Sequence, residues 1–168
     1  SFTDGTNVLG AQTTAITVTD VNEAAPVFGD GASASASVAE VTTVGTYTAT
    51  DADGSATQTY SIVAASTDSG SVDHDLFSIN SASGALTFST APNYEDPGCG
   101  AGDNSNTCVV ILQVTDGANT DTITVTATVT DLNEAAPEFG DGATASANVA
   151  EGSTTVGTYS ATDADTAN

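Results

Sequence analysis

Pairs of carboxylates separated by one residue recur along this chain. Asp51 and Asp53 form one pair, and Asp163 and Asp165 form another. On extended backbone, side chains two residues apart point the same way, so each pair presents two carboxylates to a common partner. Grouped carboxylate oxygens are ligands for hard cations such as Ca²⁺. Taken alone, however, acids just before Gly54 are more simply interpreted as turn residues.

The charge of the whole chain favours a cation without deciding the matter. The 168 residues include 22 acids, one His and no Lys or Arg, giving a formal net charge of −22 at pH 7. Such self-repulsion destabilises a compact state, and bound cations would offset it. A solvated acidic surface, as in a marine or salt-adapted protein, is the open alternative. The lack of Lys and Arg argues against a nucleic-acid partner and an anionic membrane surface, and no apolar run is long enough for membrane insertion.

The two cysteines predict a disulfide. Cys99 and Cys108 stand on either side of a loop rich in Gly, Asp and Asn. Two thiolates with His74 distant in sequence make a poor metal site, so a small disulfide is the favoured interpretation. A disulfide indicates an oxidising, extracellular setting.

The chain repeats itself. Val18–Ala32 reads VTDVNEAAPVFGDGA, and Val129–Ala143 reads VTDLNEAAPEFGDGA. The segment from Val38 to Asp53 likewise returns, with one added residue, from Val149 to Asp165. A unit of this length is the size of a domain. We therefore predict the C-terminal strand of one repeat in residues 1–21, a complete repeat in 22–131 and the beginning of a third in 132–168, as in a piece of a longer array.

Secondary structure is predicted to be all β. Short runs rich in Thr, Val and Ile alternate apolar and polar residues and are separated by turn residues, which indicates a two-sheet, seven-stranded Greek-key β-sandwich of the Ig-like class. The predicted strands are Ala34–Val38, Gly45–Thr50, Gln58–Ala64, Leu76–Asn80, Gly84–Ser89, Thr107–Thr115 and Thr120–Asp131. The predicted core residues are Tyr60, Phe77, Phe88, Val109, Ile111, Val125 and Val129.

The order of the short motifs resembles that of a cadherin repeat. VAE, TATDADG, LFSINSASGALTFST, NYE, VTDG and DLNEAAPEF follow one another across the central unit and into the flanking pieces. The variants are most similar to the bacterial cadherin-like tandem repeats of large surface adhesins. The resemblance implies Ca²⁺ ions between successive units, held by acids from both units.

Two calcium junctions follow from this resemblance. In the C-terminal junction the implied metal ligands are Glu40, Glu95, Asp131, Asn133 and Glu134 from upstream, with Asp163 and Asp165 from downstream. In the N-terminal junction they are Asp20, Asn22 and Glu23 from upstream, with Asp51, Asp53 and Asp116 from downstream. The linker Asp131–Ala135 and the segment Asn93–Glu95 depart from the family's Asp-x-Asn-Asp-Asn and Asp-x-Glu, which puts the outermost of three ions per junction in question.

Function is predicted at the level of an array. The first hypothesis is a calcium-rigidified segment of an extracellular adhesin that mediates cell or surface adhesion. The alternative is a structural subunit of an extracellular fibre, sheath or stalk. The expected partners are other copies of the repeat, end to end with lateral contacts as a further option, and a cell or surface ligand of unknown identity.

An enzyme is not expected. His74 is interpreted as a solvated loop residue, no nucleophile elbow is present, and there is no Trp to form a sugar platform. The acids outside the implied junctions are predicted to be solvated surface residues: Asp30, Asp68, Asp73, Asp75, Asp103, Asp121 and Asp141.

Overall fold

Strands account for nearly all the regular structure. The computed structural model describes residues 5–6, 10–54, 57–64, 72–100 and 104–165. Within these ranges the only helical element is a 3₁₀ turn at His74–Leu76, and no helix there is long and apolar enough to span a membrane. The strands are β1 Val27–Phe28, β2 Ser33–Val38, β3 Thr43–Thr46, β4 Ala49–Thr50, β5 Thr59–Ile62, β6 Phe77–Ile79, β7 Ala85–Phe88, β8 Thr107–Thr115, β9 Thr120–Val129, β10 Glu138–Phe139 and β11 Ala161–Thr162.

The central unit contains a two-stranded pair, β1-β4, and two larger sheets that form the sandwich. One has the order β2-β9-β8-β5 and the other β3-β7-β6. Strands β8 and β9 form an antiparallel hairpin, paired from Thr107↔Thr128 to Thr115↔Thr120. Strand β2 lies parallel to β9, and parallel neighbours require a long crossover connection, supplied here by the intervening strands. The predicted β-sandwich fold is confirmed.

The core lies between the sheets and follows the alternation of β8 and β9. Val110, Leu112 and Val125 are fully buried. The rings of Phe77 and Phe88 stack from the other sheet, with centroids 4.5 Å apart. The predicted core residues Tyr60, Phe77, Phe88, Val125 and Val129 are all confirmed as buried.

Of the two residues of β8 predicted in the core, Ile111 is confirmed as buried and Val109 is not. Val109, predicted in the core, is half-buried, and Ile111 is buried on the same face as Val109, outside the core cluster. The residues that do enter the core are the alternate ones, Val110 and Leu112. TCVVILQVT is apolar in both phases, so alternation alone cannot decide which face is inward.

The predicted strand Gly45–Thr50 is split in two. Its first half lies in β3, and its second half, β4, pairs with β1. The break falls at Tyr47, which is buried and donates its N–H to Gly84 O. Gly84 has φ +70°, and a Cβ there would lie 2.1 Å from the Tyr47 carbonyl oxygen. Only glycine fits this close approach.

The third repeat begins as the central unit does. Strand β10 pairs with β11 through Phe139↔Ala161, just as β1 pairs with β4 through Phe28↔Ala49. Residues 10–22 and 143–160 form no strand. Phe139 is 62% exposed, whereas its counterpart Phe28 is 1% exposed. The division at residues 21 and 131 stays a prediction.

Candidate calcium junctions

Three acids meet at the exit of the central unit. Glu40 follows β2, Asp131 follows β9, and Glu95 lies in the loop after β7; their carboxylate oxygens lie within 4.8 Å of one another. Both oxygens of Asp131 are buried and have no hydrogen-bond partner. Glu95 approaches Asp131, but two ionised carboxylates have no proton to donate. Removal of water, with Coulombic repulsion from Glu40 and Asp131, raises the pKa of Glu95.

Glu40 also fixes the linker. Its Oε1 accepts a hydrogen bond from Tyr94 N at 2.9 Å, and its Oε2 accepts one from Leu132 N at 2.8 Å. Glu40 has φ +46°, a left-handed conformation that non-glycine residues adopt at a cost. In this conformation one carboxylate contacts both the Glu95 loop and the linker.

Downstream acids reach the linker from the segment that follows β11. Asp165 is buried, and its Oδ2 accepts from Ala135 N at 2.7 Å, while its own N–H donates to Asp163 Oδ1 at 3.1 Å. Glu134 lies between the two groups of acids. Loss of water is the main cause that raises its pKa, followed by repulsion from Glu40 and Asp165.

Not every implied ligand of the C-terminal junction joins the tight group. Only Glu40, Glu95 and Asp131 form a close cluster among the described acids, cysteines and histidine. Glu134 interacts electrostatically with this cluster. Asp165 holds the other end of the linker, and Asp163 accepts the N–H of Asp165. Asn133 is exposed.

The N-terminal junction repeats the downstream half of this arrangement. Asp53 Oδ2 accepts from Glu23 N at 2.8 Å and from Ala24 N at 2.6 Å. The N–H of Asp53 donates to Asp51 Oδ1 at 2.9 Å. The other oxygen of Asp51 is buried without a partner. Asp20 and Glu23 are exposed.

Asp116 organises a turn beside this junction. Its Oδ1 accepts from Ala118 N at 2.7 Å and from Asn119 N at 2.6 Å. Hydrogen bonds from Asn119, the main cause, and Ala118 lower its pKa, while burial acts in the opposite direction. Asn22 Nδ2 approaches Asp116 O at 3.5 Å, and its Oδ1 is buried without a partner.

Orphaned oxygens concentrate at the two junctions. Among the described residues, the buried side-chain atoms without a hydrogen-bond partner are single oxygens of Asn22, Asp51 and Asn106 and both oxygens of Asp131. Buried polar atoms are normally satisfied, and no Lys or Arg exists in the sequence to pair with them. All are hard oxygen donors, the set that Ca²⁺ prefers. The residues therefore fit a calcium ion.

Asn119 and Asn106 were missed by the sequence interpretation. Asn119 Nδ2 donates to Ala24 O at 2.8 Å and so ties the turn to the linker. Asn106 Nδ2 donates to Tyr94 O at 3.0 Å. The echo of VTDGAN (114–119) in FTDGTN (2–7) marked Asn119 as part of the repeat. No comparable signal marked Asn106.

Two acids assigned to the solvated surface have structural roles. Asp73 is 3% exposed, and its carboxylate accepts from Gly100 N at 2.8 Å and Val109 N at 2.7 Å. Asp121 Oδ2 accepts from Phe28 N at 3.0 Å and holds β1 against β9. The assignment was wrong for both. Asp30, Asp75 and Asp141 are exposed as expected, while Asp68 and Asp103 lie outside the described residues.

The disulfide is present. Cys99 and Cys108 are bonded, with Cα atoms 4.8 Å apart. Both are buried, and an isolated bridge between Cys99 and Ser105 closes the loop further. His74 Nε2 lies 3.2 Å from Asp75 Oδ1 at the surface.

Comparisons with known proteins place the fold. No model of a protein family matches the chain, and no curated protein matches it. Protocadherin Gamma B2 extracellular cadherin domains 3-6 superpose with a TM-score of 0.60 and 25% identity over 88% of this chain and 37% of that chain. Human CDH23 EC21-23 superposes with a TM-score of 0.58 and 20% identity over 90% of this chain and 47% of that chain. The protocadherin gammaB7 EC3-6 cis-dimer structure superposes with a TM-score of 0.58 and 25% identity over 88% of this chain and 36% of that chain.

These similarities define the class of the central unit: it is an all-β, cadherin-like repeat. The chain spans less than half the length of each of these structures.

Proposed function

We propose that this chain is a segment of an extracellular array of cadherin-like repeats that calcium makes rigid, and that the array mediates adhesion. The observation that carries the proposal is Asp131, whose two buried oxygens have no partner and lie beside Glu40 and Glu95. Three carboxylates packed together without a cation repel one another, and a divalent ion turns this repulsion into attraction.

Rigidity follows from the way the linker is attached. The upstream unit holds Leu132 N–H through Glu40, and the downstream unit holds Ala135 N–H through Asp165. Glu134 lies within electrostatic reach of acids on both sides. A cation bound among these acids would join the two attachments and fix the angle between successive units. Glu40, Glu95, Asp131 and Glu134 would hold it from upstream, and Asp163 and Asp165 from downstream.

Adhesion and an extracellular location are supported at the level of class. The similar structures include extracellular cadherin domains and a cis-dimer. The Cys99–Cys108 disulfide favours an oxidising compartment. Other copies of the repeat are therefore the proposed partners. The role as a bacterial surface adhesin, as opposed to a fibre subunit, rests on the sequence resemblance alone.

A calcium titration of thermal unfolding tests the rigid junction. Extracellular calcium modules bind at roughly 10⁻⁴–10⁻³ M, and binding to the folded state raises its stability by mass action. We expect a calcium-specific rise in melting temperature that is largely lost in Asp131→Ala and kept in the matched surface variant Asp30→Ala. An equal rise with magnesium or with NaCl at matched ionic strength would contradict the proposal.

A separate assay tests adhesion. Beads coated with the chain should cluster in calcium, disperse in chelator and fail to cluster when coated with Asp131→Ala. Calcium-dependent stiffening without clustering, measured by small-angle scattering, would favour the fibre or stalk hypothesis.

A further inference from the structure

Asn106 contributes a buried oxygen beside the C-terminal junction. It stands just before β8, and its side-chain Oδ1 is buried and has no hydrogen-bond partner. Its Nδ2 donates to Tyr94 O at 3.0 Å. The backbone oxygen of Tyr94 can only accept a hydrogen bond, and only the nitrogen of the Asn106 side-chain amide can donate one, so the nitrogen end of that side chain faces Tyr94. The oxygen is left as the end that still requires a partner.

Strand register puts Asn106 next to Asp131. Thr107 pairs with Thr128, and Val129 N donates to Asn106 O at 2.8 Å, so Asn106 lies opposite Val129. Opposed residues of an antiparallel pair present their side chains to the same face, and Val129 faces the core. Thr130 N donates to Val38 O at 2.9 Å, so the pairing continues past the end of β9, and Asp131, two residues after Val129, shares that face. Diagonal neighbours of this kind lie about 7 Å apart between their Cα atoms.

We propose that Asn106 Oδ1 is a neutral ligand of the same cation that Glu40, Glu95 and Asp131 hold. This inference rests on the proposed calcium function. Ca²⁺ needs six to eight oxygens and takes side-chain amide oxygens readily. Three carboxylates already exceed the charge of one divalent ion, so an uncharged oxygen completes the shell without adding repulsion. One cation then satisfies the orphaned oxygens of Asn106 and Asp131 together.

The proposal links the disulfide loop to the junction. Asn106 lies between Cys99 and Cys108, inside the loop that their bond closes. Ser105, the preceding residue, is bridged to Cys99 by two backbone hydrogen bonds. The disulfide thus limits the movement of Asn106, and it positions the ligand before the cation arrives.

The competing role is purely structural: Nδ2 holds the Tyr94 carbonyl, and a water molecule satisfies Oδ1. Luminescence lifetimes of bound Eu³⁺ in H₂O and D₂O separate the two roles, because they count the water molecules on the ion. The full chain is used with Asp20→Ala and Asp51→Ala to weaken the N-terminal junction. Calcium affinity is measured in parallel by isothermal titration calorimetry.

For Asn106→Ala we expect about tenfold weaker calcium binding, within the range seen when residues around metal sites are removed, and about one more water molecule on Eu³⁺. Asn106→Asp keeps a ligand oxygen but adds a charge and loses the donor to Tyr94, so the water count on Eu³⁺ is its deciding reading and should stay at the parent value. Asn80→Ala is the control, because Asn80 accepts from Ala82 N and Ser83 N in the turn between β6 and β7 and belongs to neither junction. It should leave both readings unchanged.

An unchanged water count in Asn106→Ala would overturn the inference, as would a water count in Asn106→Asp that rises by as much as in Asn106→Ala. If Asn106→Ala does not fold in chelator, judged by circular dichroism, Asn106→Asp decides alone: a water count equal to that of the parent supports a ligand, and one more water molecule overturns it. A parent chain that binds neither calcium nor Eu³⁺ would refute the proposed function itself. A parent that binds, with variants that bind equally well, would refute only the assignment of Asn106.

Discussion

Asp53 and Asp165 make the same contact in successive units. In each case Oδ2 accepts the backbone N–H of the first alanine of an NEAAP segment, Ala24 at 2.6 Å and Ala135 at 2.7 Å. In each case the acid two residues earlier accepts the N–H of the aspartate itself, at 2.9 and 3.1 Å. The linker is therefore attached to the unit that follows it by a contact built from protein atoms alone.

The first prediction concerns this attachment. Asp53→Ala removes the acceptor of Glu23 N–H and Ala24 N–H, and with calcium present we expect unfolding to become easier by about 1–3 kcal/mol. In calcium-depleted buffer the loss should be smaller, because removal of one carboxylate relieves repulsion with Asp51. Urea denaturation under both conditions measures the two values. Asp30→Ala, at an exposed acid, should change stability by less than about 0.5 kcal/mol in either buffer; equal effects of the two variants would argue against the attachment.

The second prediction concerns pH without calcium. The pKa values of Glu95 and Glu134 are raised in the folded chain, mainly by loss of water and then by neighbouring acids. A raised acid pKa means that the folded state binds protons more readily than the unfolded state. The stability that these two glutamates contribute is therefore fully present below the ordinary glutamate pKa of about 4.3, and it is lost as the pH rises through their raised pKa values. The melting temperature in calcium-depleted buffer should therefore be higher at pH 5 than at pH 7.

With calcium present, the melting temperature should instead be higher at pH 7 than at pH 5, because protons compete with the cation for the same carboxylates. The Glu95→Gln, Glu134→Gln double variant should show a flatter pH profile in calcium-depleted buffer. Asp116 affects stability in the opposite direction, because its pKa is lowered in the folded chain. Its contribution to stability is present at neutral pH and is lost as the pH falls through that lowered pKa. A parent profile as flat as that of the double variant would refute the assignment of the pH dependence to these two residues.

The third prediction tests which face of β8 is inward. Leu112→Ala removes a fully buried side chain and should destabilise the chain by about 2–5 kcal/mol. Val109→Ala, on the opposite face, removes a half-buried one and should cost about 1 kcal/mol or less. Thermal or urea unfolding of the pair measures the difference. Similar losses would mean that the strand faces are assigned incorrectly.

The fourth prediction compares two aspartates that flank one histidine. Asp73→Ala leaves Gly100 N–H and Val109 N–H without their acceptor, and we expect a loss of about 1–3 kcal/mol. Asp75→Ala breaks only an exposed contact to His74, worth about 0–1 kcal/mol. Hydrogen exchange at Gly100 and Val109 should accelerate in the first variant and not in the second.

The sequence predicted the fold because the repeat and the alternation of Thr and Val carry it. The same sequence could not choose the inward face of TCVVILQVT, since both faces are apolar. Nor could it separate Asp73 from Asp75, which are identical in type and differ only in what the 3₁₀ turn places beside them.

The candidate site was predicted in part for a similar reason. Acids such as Asp53 and Asp165 lie in repeated motifs, so the pattern identified them and the backbone contacts then gave them a common geometry. Asn106 lies in a loop whose course is set by a disulfide and by pairing with Val129. Its position depends on contacts between residues distant in sequence, which no local spacing reports.

The parallel pairing of β2 with β9 has a mechanical consequence. The chain enters the unit before Ser33 and leaves it after Val129, and the six paired positions from Ser33↔Thr124 to Val38↔Val129 lie side by side. Tension between neighbouring units pulls the start of β2 and the end of β9 in opposite directions along the strands. The ladder is thus loaded in shear, and its hydrogen bonds must fail together instead of opening one by one as in a peeled hairpin. In single-molecule pulling, the unfolding force should be higher when tension is applied through the two linkers than when it is applied across the β8–β9 turn. The central unit should therefore resist stretching along the line that joins its two linkers.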